Sequence, residues 1–193
     1  MFGFGRRKDD AVVEGVCERL RALIGILEHR LGGMSPELTR DPFVIGYIVN
    51  MAVIFAMIET NGRASTTLRG HVSLAGLQTA FASLHMSMQE ASAAMHLMVG
   101  NLEAKRGADA ADLVLGVGAG KTDRDSDPRV IQARAALAAM PADICAMLGS
   151  NERSNLLHVL QDNLLFTPLE AKYGSRLLDS RDKQGAPDRQ ANP

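Results

Sequence analysis

The sequence is poor in aromatic residues and has no excess of charge of either sign. Its 193 residues include no tryptophan and only 4% aromatic residues, and the formal net charge is -1. Nucleic-acid-binding proteins typically carry a basic stripe or aromatic rings on which bases stack. Both features are missing, so nucleic-acid binding is disfavoured. The 46% of hydrophobic residues instead favours a globular chain with a substantial core.

Cysteine is nearly absent as well. The two cysteines, Cys17 and Cys145, are far apart in the chain, and neither belongs to a Cys-x-x-Cys motif. Their apolar neighbours favour two reduced thiols in the core, which is typical of a reducing compartment. We therefore expect a cytoplasmic protein, with peripheral contact at the inner membrane face as a second option.

Sequence signatures of catalysis and of metal binding are also missing. The sequence has no Glu-x-x-His pairs of a di-iron bundle and no Ser-His-Asp or Cys-His arrangement with a supporting motif. His71, His85 and His96 share one helical stretch, but neighbouring pairs are about 21 and about 16 Å apart along a helix axis. No two of them can bind one ion. Enzymatic activity is disfavoured, and no cofactor is predicted.

The glycine-rich residues 107–122 invite comparison with a phosphate-binding loop. That loop needs four residues between its first glycine and the Gly-Lys-Ser/Thr triplet. Only three residues separate Gly116 from Gly120, Leu115 stands where the glycine is required, and an acidic linker follows Thr122. We interpret the stretch as a glycine-rich hinge that leads into a mobile linker at about 118–126.

The longest helical pattern runs from Ser65 to Lys105. Between Arg69 and Glu103 the only charged side chain is Glu90, so this helix has no side suited to water. Apolar residues occupy every a and d position over four heptads, namely Leu74, Leu77, Phe81, Leu84, Met88, Ala91, Met95, Met98 and Leu102. The pattern predicts a central helix that is covered on more than one side.

The length of this helix does not fit a compact chain. Unbroken, it would be about 60 Å long, whereas a compact chain of this size is about 42 Å across. Either the helix breaks, at Gly70 or Gly76, or part of it projects and packs on a partner. We predict a homodimer formed partly by the surface that carries three methionines, Met86, Met95 and Met98.

The first helix is predicted to begin at Asp9 or Asp10 and to end at Gly32. The residues before it, Met1 to Lys8, are predicted to be a flexible start. As an alternative, they form a weak membrane contact in which rings enter the lipid and each basic side chain contributes about 1 kcal/mol on anionic headgroups. The residues of this contact would be Phe2, Phe4, Arg6, Arg7 and Lys8.

The second helix has the clearest boundaries, with Asp41 and Pro42 at its start and Asn61-Gly62 at its end. It carries no charge before Glu59, so a transmembrane helix is an alternative. Residues 43–58 rise only about 24 Å as a helix, less than the hydrocarbon thickness of about 30 Å. We therefore favour a buried core helix in which small residues, Gly46 and Ala52, let the central helix approach closely.

Two further helices complete the predicted fold. Asp127-Pro128 begins one that runs to about Met140, and the last begins near Glu152 and ends near Pro168 or at Gly174. The predicted fold is an all-α, single-domain bundle of five to six helices around the long central hydrophobic helix. The helical domain spans residues 9–174, and residues 175–193 are predicted to be a disordered tail.

The function predicted from these features is a non-enzymatic interaction or regulatory module that acts through self-association or partner-protein binding. The alternative is a sensor or carrier with a haem, metal or apolar ligand between the second and third helices. Its site would combine His85 and Met88 with Tyr47 or Asn50. Against this, Tyr47 and Asn50 can satisfy each other or a neighbouring backbone group.

Overall fold

A computed structural model describes residues 4–141, 143–144 and 150–174, and all regular structure in these ranges is helical. The longer helices in these ranges are α1 (Phe4–Leu31), α2 (Pro42–Glu59), α3 (Thr66–Ala80), α4 (Met88–Leu97), α5 (Leu102–Gly118), α6 (Pro128–Ala138) and α7 (Glu152–Gln161). After α7 the chain stays helical to Gly174, with π-helical segments at Asp162–Phe166 and Glu170–Gly174; we call residues 162–174 the C-terminal extension. The predicted all-α bundle is confirmed.

The predicted boundaries of α2 are confirmed. The Asp41 carboxylate caps the helix, because its Oδ1 accepts hydrogen bonds from the amides of Phe43 at 2.9 Å and Val44 at 3.3 Å. At the other end Asn61 has a positive φ of 50°, which closes the helix with a Schellman motif. Among the described helices, α2 alone is long and apolar enough to cross a membrane, and half of it is buried inside the bundle.

Two glycines bring α2 and α5 into backbone contact. A Cβ atom on Gly46 would lie 2.0 Å from the carbonyl oxygen of Ala104, and a Cβ on Gly107 would lie 2.0 Å from that of Phe43. Each helix therefore supplies a glycine against the other's backbone. The expected close approach at Gly46 is confirmed. Because Gly107 lies inside α5 and serves this packing, the interpretation of residues 107–122 as a hinge is wrong.

The stretch from Ser65 to Lys105 is broken, as one of the two predicted alternatives had it, and it forms α3, α4 and the start of α5. The first break follows α3, where His85 has a positive φ of 54° and Ser87 then starts α4. The Ser87 hydroxyl accepts from the Glu90 amide at 3.2 Å, and the Glu90 carboxylate accepts from the Ser87 amide at 2.8 Å. This reciprocal pair is a capping box.

The second break lies between α4 and α5. Gly100 has a φ of 71°, and the Asn101 side chain then caps α5 by accepting from the Glu103 amide at 2.9 Å. The two glycines predicted as break points, Gly70 and Gly76, both lie inside α3. The breaks therefore depend on capping side chains and on positive φ angles, and these two glycines have no part in them.

The N-terminal helix begins at Phe4, earlier than the predicted Asp9 or Asp10, and Gly32 ends it as predicted, with a φ of 73°. Phe4, Arg6 and Arg7 thus belong to helical backbone, whereas a flexible start was expected, and the Lys8 side chain is exposed. Three other predictions concern residues outside the described ranges: the lipid contact of Phe2, the core thiol of Cys145 and the disordered tail 175–193.

Two apolar clusters form the core. The larger joins α1, α2, α3 and α4 with part of α5 and the C-terminal extension, and the smaller joins α5, α6 and α7. Helix α5 contributes to both, because Ala110 and Ala111 face the larger cluster and Leu113 and Val117 face the smaller. Helix α5 therefore connects the two parts of the bundle.

Hydrogen bonds and ion pairs join the C-terminal extension to α1 and to the start of α2. Asp41 Oδ2 accepts hydrogen bonds from Lys172 Nζ and from the Tyr173 hydroxyl, each at 2.6 Å. On α1, Arg30 binds both Asp162 and Glu170, with a distance of 2.5 Å from its Nε to Glu170 Oε1. The extension passes through Pro168 without a break, so the earlier of the two predicted ends, near Pro168, is wrong.

Candidate functional site

Four of the exposed large apolar side chains of the described chain lie close together in the sequence, in α4 or just after it. Val99 is 84% exposed and Leu102 73% exposed, and they are the two most exposed large apolar side chains. Met88 and Leu97, at the two ends of α4, are each about half exposed. Most apolar exposure on a monomer is scattered, so a concentration of this kind is informative.

A groove of about 820 Å³ lies between α4 and the 3₁₀ turn Pro36–Arg40. Its rim carries both signs of charge, from Glu37, Arg40 and Glu90. Apolar side chains form most of the remaining lining, and these include Leu84, Met86, Ala93, Ala94 and Leu97. We call the groove together with Met88, Leu97, Val99 and Leu102 the α4 surface.

Local sequence explains why this groove exists. Leu38 is fully buried and anchors the 3₁₀ turn, while the capping box at Ser87 sets the start of α4. The only fully buried residues of α4 are Ala91 and Ala94. Because these side chains are small, α4 lies on the bundle without bringing its larger apolar residues inside.

Of the three methionines predicted to form an interface, Met86 alone lines the groove, and it is buried. Met95 and Met98 are partly buried and pack against the larger core cluster. The exposed apolar area comes instead from their neighbours Val99 and Leu102. The sequence did not predict Val99 and Leu102 as exposed site residues. The heptad pattern continues through Gly100 and gives no sign of the turn there that directs them to solvent.

The four residues predicted to line a ligand pocket fall into two pairs. Asn50 donates from Nδ2 to the Ala108 carbonyl oxygen at 2.7 Å, which is the backbone partner considered as the alternative. Tyr47 is 1% exposed, and its hydroxyl has no hydrogen-bond partner. Burial raises the pKa of Tyr47 far above its ordinary value, although the nearby Gln161 side chain opposes the shift.

The other pair, His85 and Met88, is exposed. His85 occupies the left-handed position that ends the 3₁₀ turn after α3, with its amide donating to Ala82. None of the contacts described for this pair involves Tyr47 or Asn50. In the described part of the chain, no three histidine, cysteine, aspartate or glutamate side chains are placed to hold a metal ion.

The glycine-rich stretch forms the C-terminal end of α5. Gly120 has a φ of 75°, its amide donates to the Val117 carbonyl, and the Lys121 amide donates to the Gly116 carbonyl, both at 3.0 Å. This is a Schellman motif. A phosphate site uses the positive amide end of a helix, whereas these residues form the carbonyl end, which carries partial negative charge. The geometry is the reverse of a phosphate-binding loop.

Comparison of this chain with protein-family models, with curated proteins and with solved structures finds no match.

Proposed function

We propose that this protein is a non-enzymatic helical interaction module that acts by self-association, with the α4 surface as the contact between two copies. The observation that supports this is the position of Val99 and Leu102, whose apolar side chains project at a turn at the end of a helix that lines an apolar groove. Apolar exposure of this kind normally marks an interaction site.

A second copy is the occupant favoured by the shape and charge of this surface. In a twofold interface the same patch serves both subunits, so it must be complementary to itself. The α4 surface has both a projecting pair of side chains and a concave groove. Its rim also has both charge signs, so Arg40 of one copy can meet Glu37 or Glu90 of the other. A highly charged foreign partner would require a rim of one sign.

The contact must extend beyond the four exposed side chains. A stable interface buries about 800 Å² on each partner, and its energy is concentrated in a few central apolar side chains. Val99 and Leu102 are the proposed central residues. The accessible part of the groove wall, formed by Pro36, Leu84 and Ala93, supplies the surface that they bury.

Multi-angle light scattering over a range of concentrations tests this proposal. We expect wild type to reach twice the chain mass of 20.7 kDa and the double variant Val99→Glu, Leu102→Glu to remain monomeric. The matched control is Ile131→Glu, which places the same charge at an exposed apolar position on α6 and should still dimerise. A wild-type mass that stays at one chain at every concentration would overturn the proposal.

The rim charges provide a second, independent test of the twofold geometry. Arg40→Glu should weaken dimerisation, because it places like charges opposite each other across the interface. Adding Glu37→Arg to that variant should restore part of the affinity between the two copies, since the charges of the pair are then reversed. If a double-mutant cycle shows no coupling between these positions, the rim does not face its own copy.

A further inference from the structure

A cleft of about 290 Å³ lies away from α4, where four helices meet: α1, α2, α5 and α7. Its volume is near the lower end of the range for small-molecule pockets, about 300–1,000 Å³. Its walls are largely apolar, and the main side chains are Leu23, Ile26, Met51, Phe55, Leu115 and Leu157. Such a cleft suits an apolar molecule of modest size.

The cleft is open to solvent, and its shape depends on a glycine. Ile26 is about half exposed, and Phe55 and Leu157 are only partly buried. A Cβ atom on Gly118 would lie 3.3 Å from Leu157 Cδ1, so a larger residue there would require the end of the Leu157 side chain to shift. The two helical walls each span about 10 Å, from residue 19 to 26 and from residue 154 to 161.

The polar groups of the cleft are donors or neutral. On α7, Ser154, His158 and Gln161 follow one another at spacings of four and three residues, and so lie on one face of the helix. None of the described residues that line the cleft is acidic. Arg19 stands at the edge, but Glu59 already pairs with it at 2.5 Å, so the main donors left for a ligand are on α7.

A buried hydroxyl group without a partner adjoins this row of side chains. Tyr47 lies one turn before Met51 on α2, and its hydroxyl is fully buried and accepts or donates no hydrogen bond. The Gln161 side chain, which lines the cleft, is the polar group near it. A glutamine has one acceptor oxygen and two donor hydrogens. Its oxygen can therefore accept the Tyr47 proton while its NH₂ group faces the cleft.

We infer that this cleft binds a small apolar carboxylate. The carboxylate accepts hydrogen bonds from Gln161 Nε2 and from His158, and the apolar part lies against Leu23, Met51 and Leu115. Binding fixes Gln161 in the orientation in which its oxygen also accepts from Tyr47, so the unpartnered hydroxyl becomes satisfied. An amine of the same size would find no acidic partner among the lining residues, which is why the charge of the ligand is part of the proposal.

Calorimetric titration of the full chain with octanoate tests the inference, with octanol and octylamine as probes of matched length. We expect saturable binding of octanoate, weaker binding of octanol and none of octylamine. Ala22 is an exposed residue of the cleft wall, so Ala22→Phe should abolish octanoate binding without disturbing the core. Its matched control, Ala11→Phe, adds the same ring at an exposed position of α1 outside the cleft and should bind octanoate normally.

A second variant tests the role of the buried hydroxyl. Tyr47→Phe removes no hydrogen bond from the free protein, so its melting temperature should not fall, whereas octanoate should bind about five- to tenfold more weakly. Equal binding of octanoate and octylamine, or octanoate binding that survives Ala22→Phe, would overturn the inference. The double variant Val99→Glu, Leu102→Glu should bind octanoate like wild type, because this site is independent of the α4 surface.

Discussion

At the scale of single residues, the important property of His85 is its left-handed backbone conformation and not its imidazole. A left-handed conformation costs a residue with a Cβ atom about 1–2 kcal/mol, whereas glycine adopts it freely. His85 is exposed and has a φ of 54°. His85→Gly should therefore raise the free energy of unfolding by about 1 kcal/mol, as measured by urea denaturation.

The control for this substitution lies on the same part of the chain. His71 is exposed on α3 and has helical backbone, so His71→Gly should lower the free energy of unfolding by about 0.3–0.5 kcal/mol. The opposite signs of the two changes follow from φ alone. If His85→Gly instead lowered the stability and removed a visible absorption band, a haem or metal ligand role for His85 would regain support.

Asp41 is a buried carboxylate that links the start of α2 to the C-terminal extension. Burial raises the pKa of Asp41, but hydrogen bonds from Lys172, Tyr173 and the Val44 amide outweigh this and hold it below its ordinary value of 3.8. The unfolded chain therefore takes up the proton first as the pH falls. The contribution of Asp41 to the free energy of unfolding is complete above this ordinary value and decreases below it, until the folded carboxylate is also protonated.

Acid titration of stability tests this role of Asp41. Asp41→Asn keeps a capping oxygen but loses the charge, so it should lower the free energy of unfolding at neutral pH by about 1–2 kcal/mol. It should also reduce the further loss of stability below about pH 4. The control Asp9→Asn changes an exposed carboxylate on α1 and should leave the acid profile close to that of wild type. An unchanged profile for Asp41→Asn would contradict the assignment.

At the scale of the elements, the contact between α2 and α5 is the least tolerant of added atoms. Gly107→Ala places a Cβ atom on the Phe43 carbonyl oxygen, and a backbone carbonyl cannot move without moving α2. We expect a loss of about 3 kcal/mol or more in the free energy of unfolding. Gly25→Ala on α1 is the control, because nothing lies within 4 Å of its Cβ position. That variant should gain about 0.5–1 kcal/mol, and equal effects of the two changes would contradict the packing.

The elements that sequence predicts well are those whose ends are marked locally. Asp41-Pro42 and Asn61-Gly62 give both ends of α2, because capping and positive φ depend on a few neighbouring residues. The break after α3 has such a marker too, in the Ser87 to Glu90 capping box. This capping box was not used to predict the break, since the heptad pattern of apolar residues continues through it. His85 is a weaker marker, because histidine is enriched at positive φ but adopts it in only a minority of cases.

The candidate site was predictable only in part, for a related reason. Periodicity led to Met86, Met95 and Met98, and the groove and exposed side chains lie in their vicinity. Which side chains face solvent depends on the turn at Gly100, so Val99 and Leu102 required the structure. The inner role of Gly107 was equally hidden, because a glycine in sequence looks the same whether it ends a helix or admits a neighbouring backbone.

At the scale of the whole molecule, local stability should be highest in α2 and α5 and lower in α4. Helices α2 and α5 each bury many residues and are in backbone contact, whereas α4 fully buries only Ala91 and Ala94. Native-state hydrogen exchange should therefore find the slowest amides in α2 and α5 and faster exchange in α4. Dimerisation through the α4 surface should slow α4 selectively. Uniform protection of all three helices in the monomeric Val99→Glu, Leu102→Glu variant would contradict this gradient.

The π-helical turns of the C-terminal extension restrict the number of residues that the extension can have. A π-helical turn contains one residue more than an α-helical turn, so each one rotates all later side chains by about 100°. The two segments let one continuous helix bury Leu165 and Leu169 and still direct Lys172 and Tyr173 to Asp41. Many single replacements between these points would leave that phase intact. Deleting one residue of the extension, even the exposed Asn163, would rotate the later side chains away from Asp41. This segment should therefore accept many substitutions but no insertion or deletion.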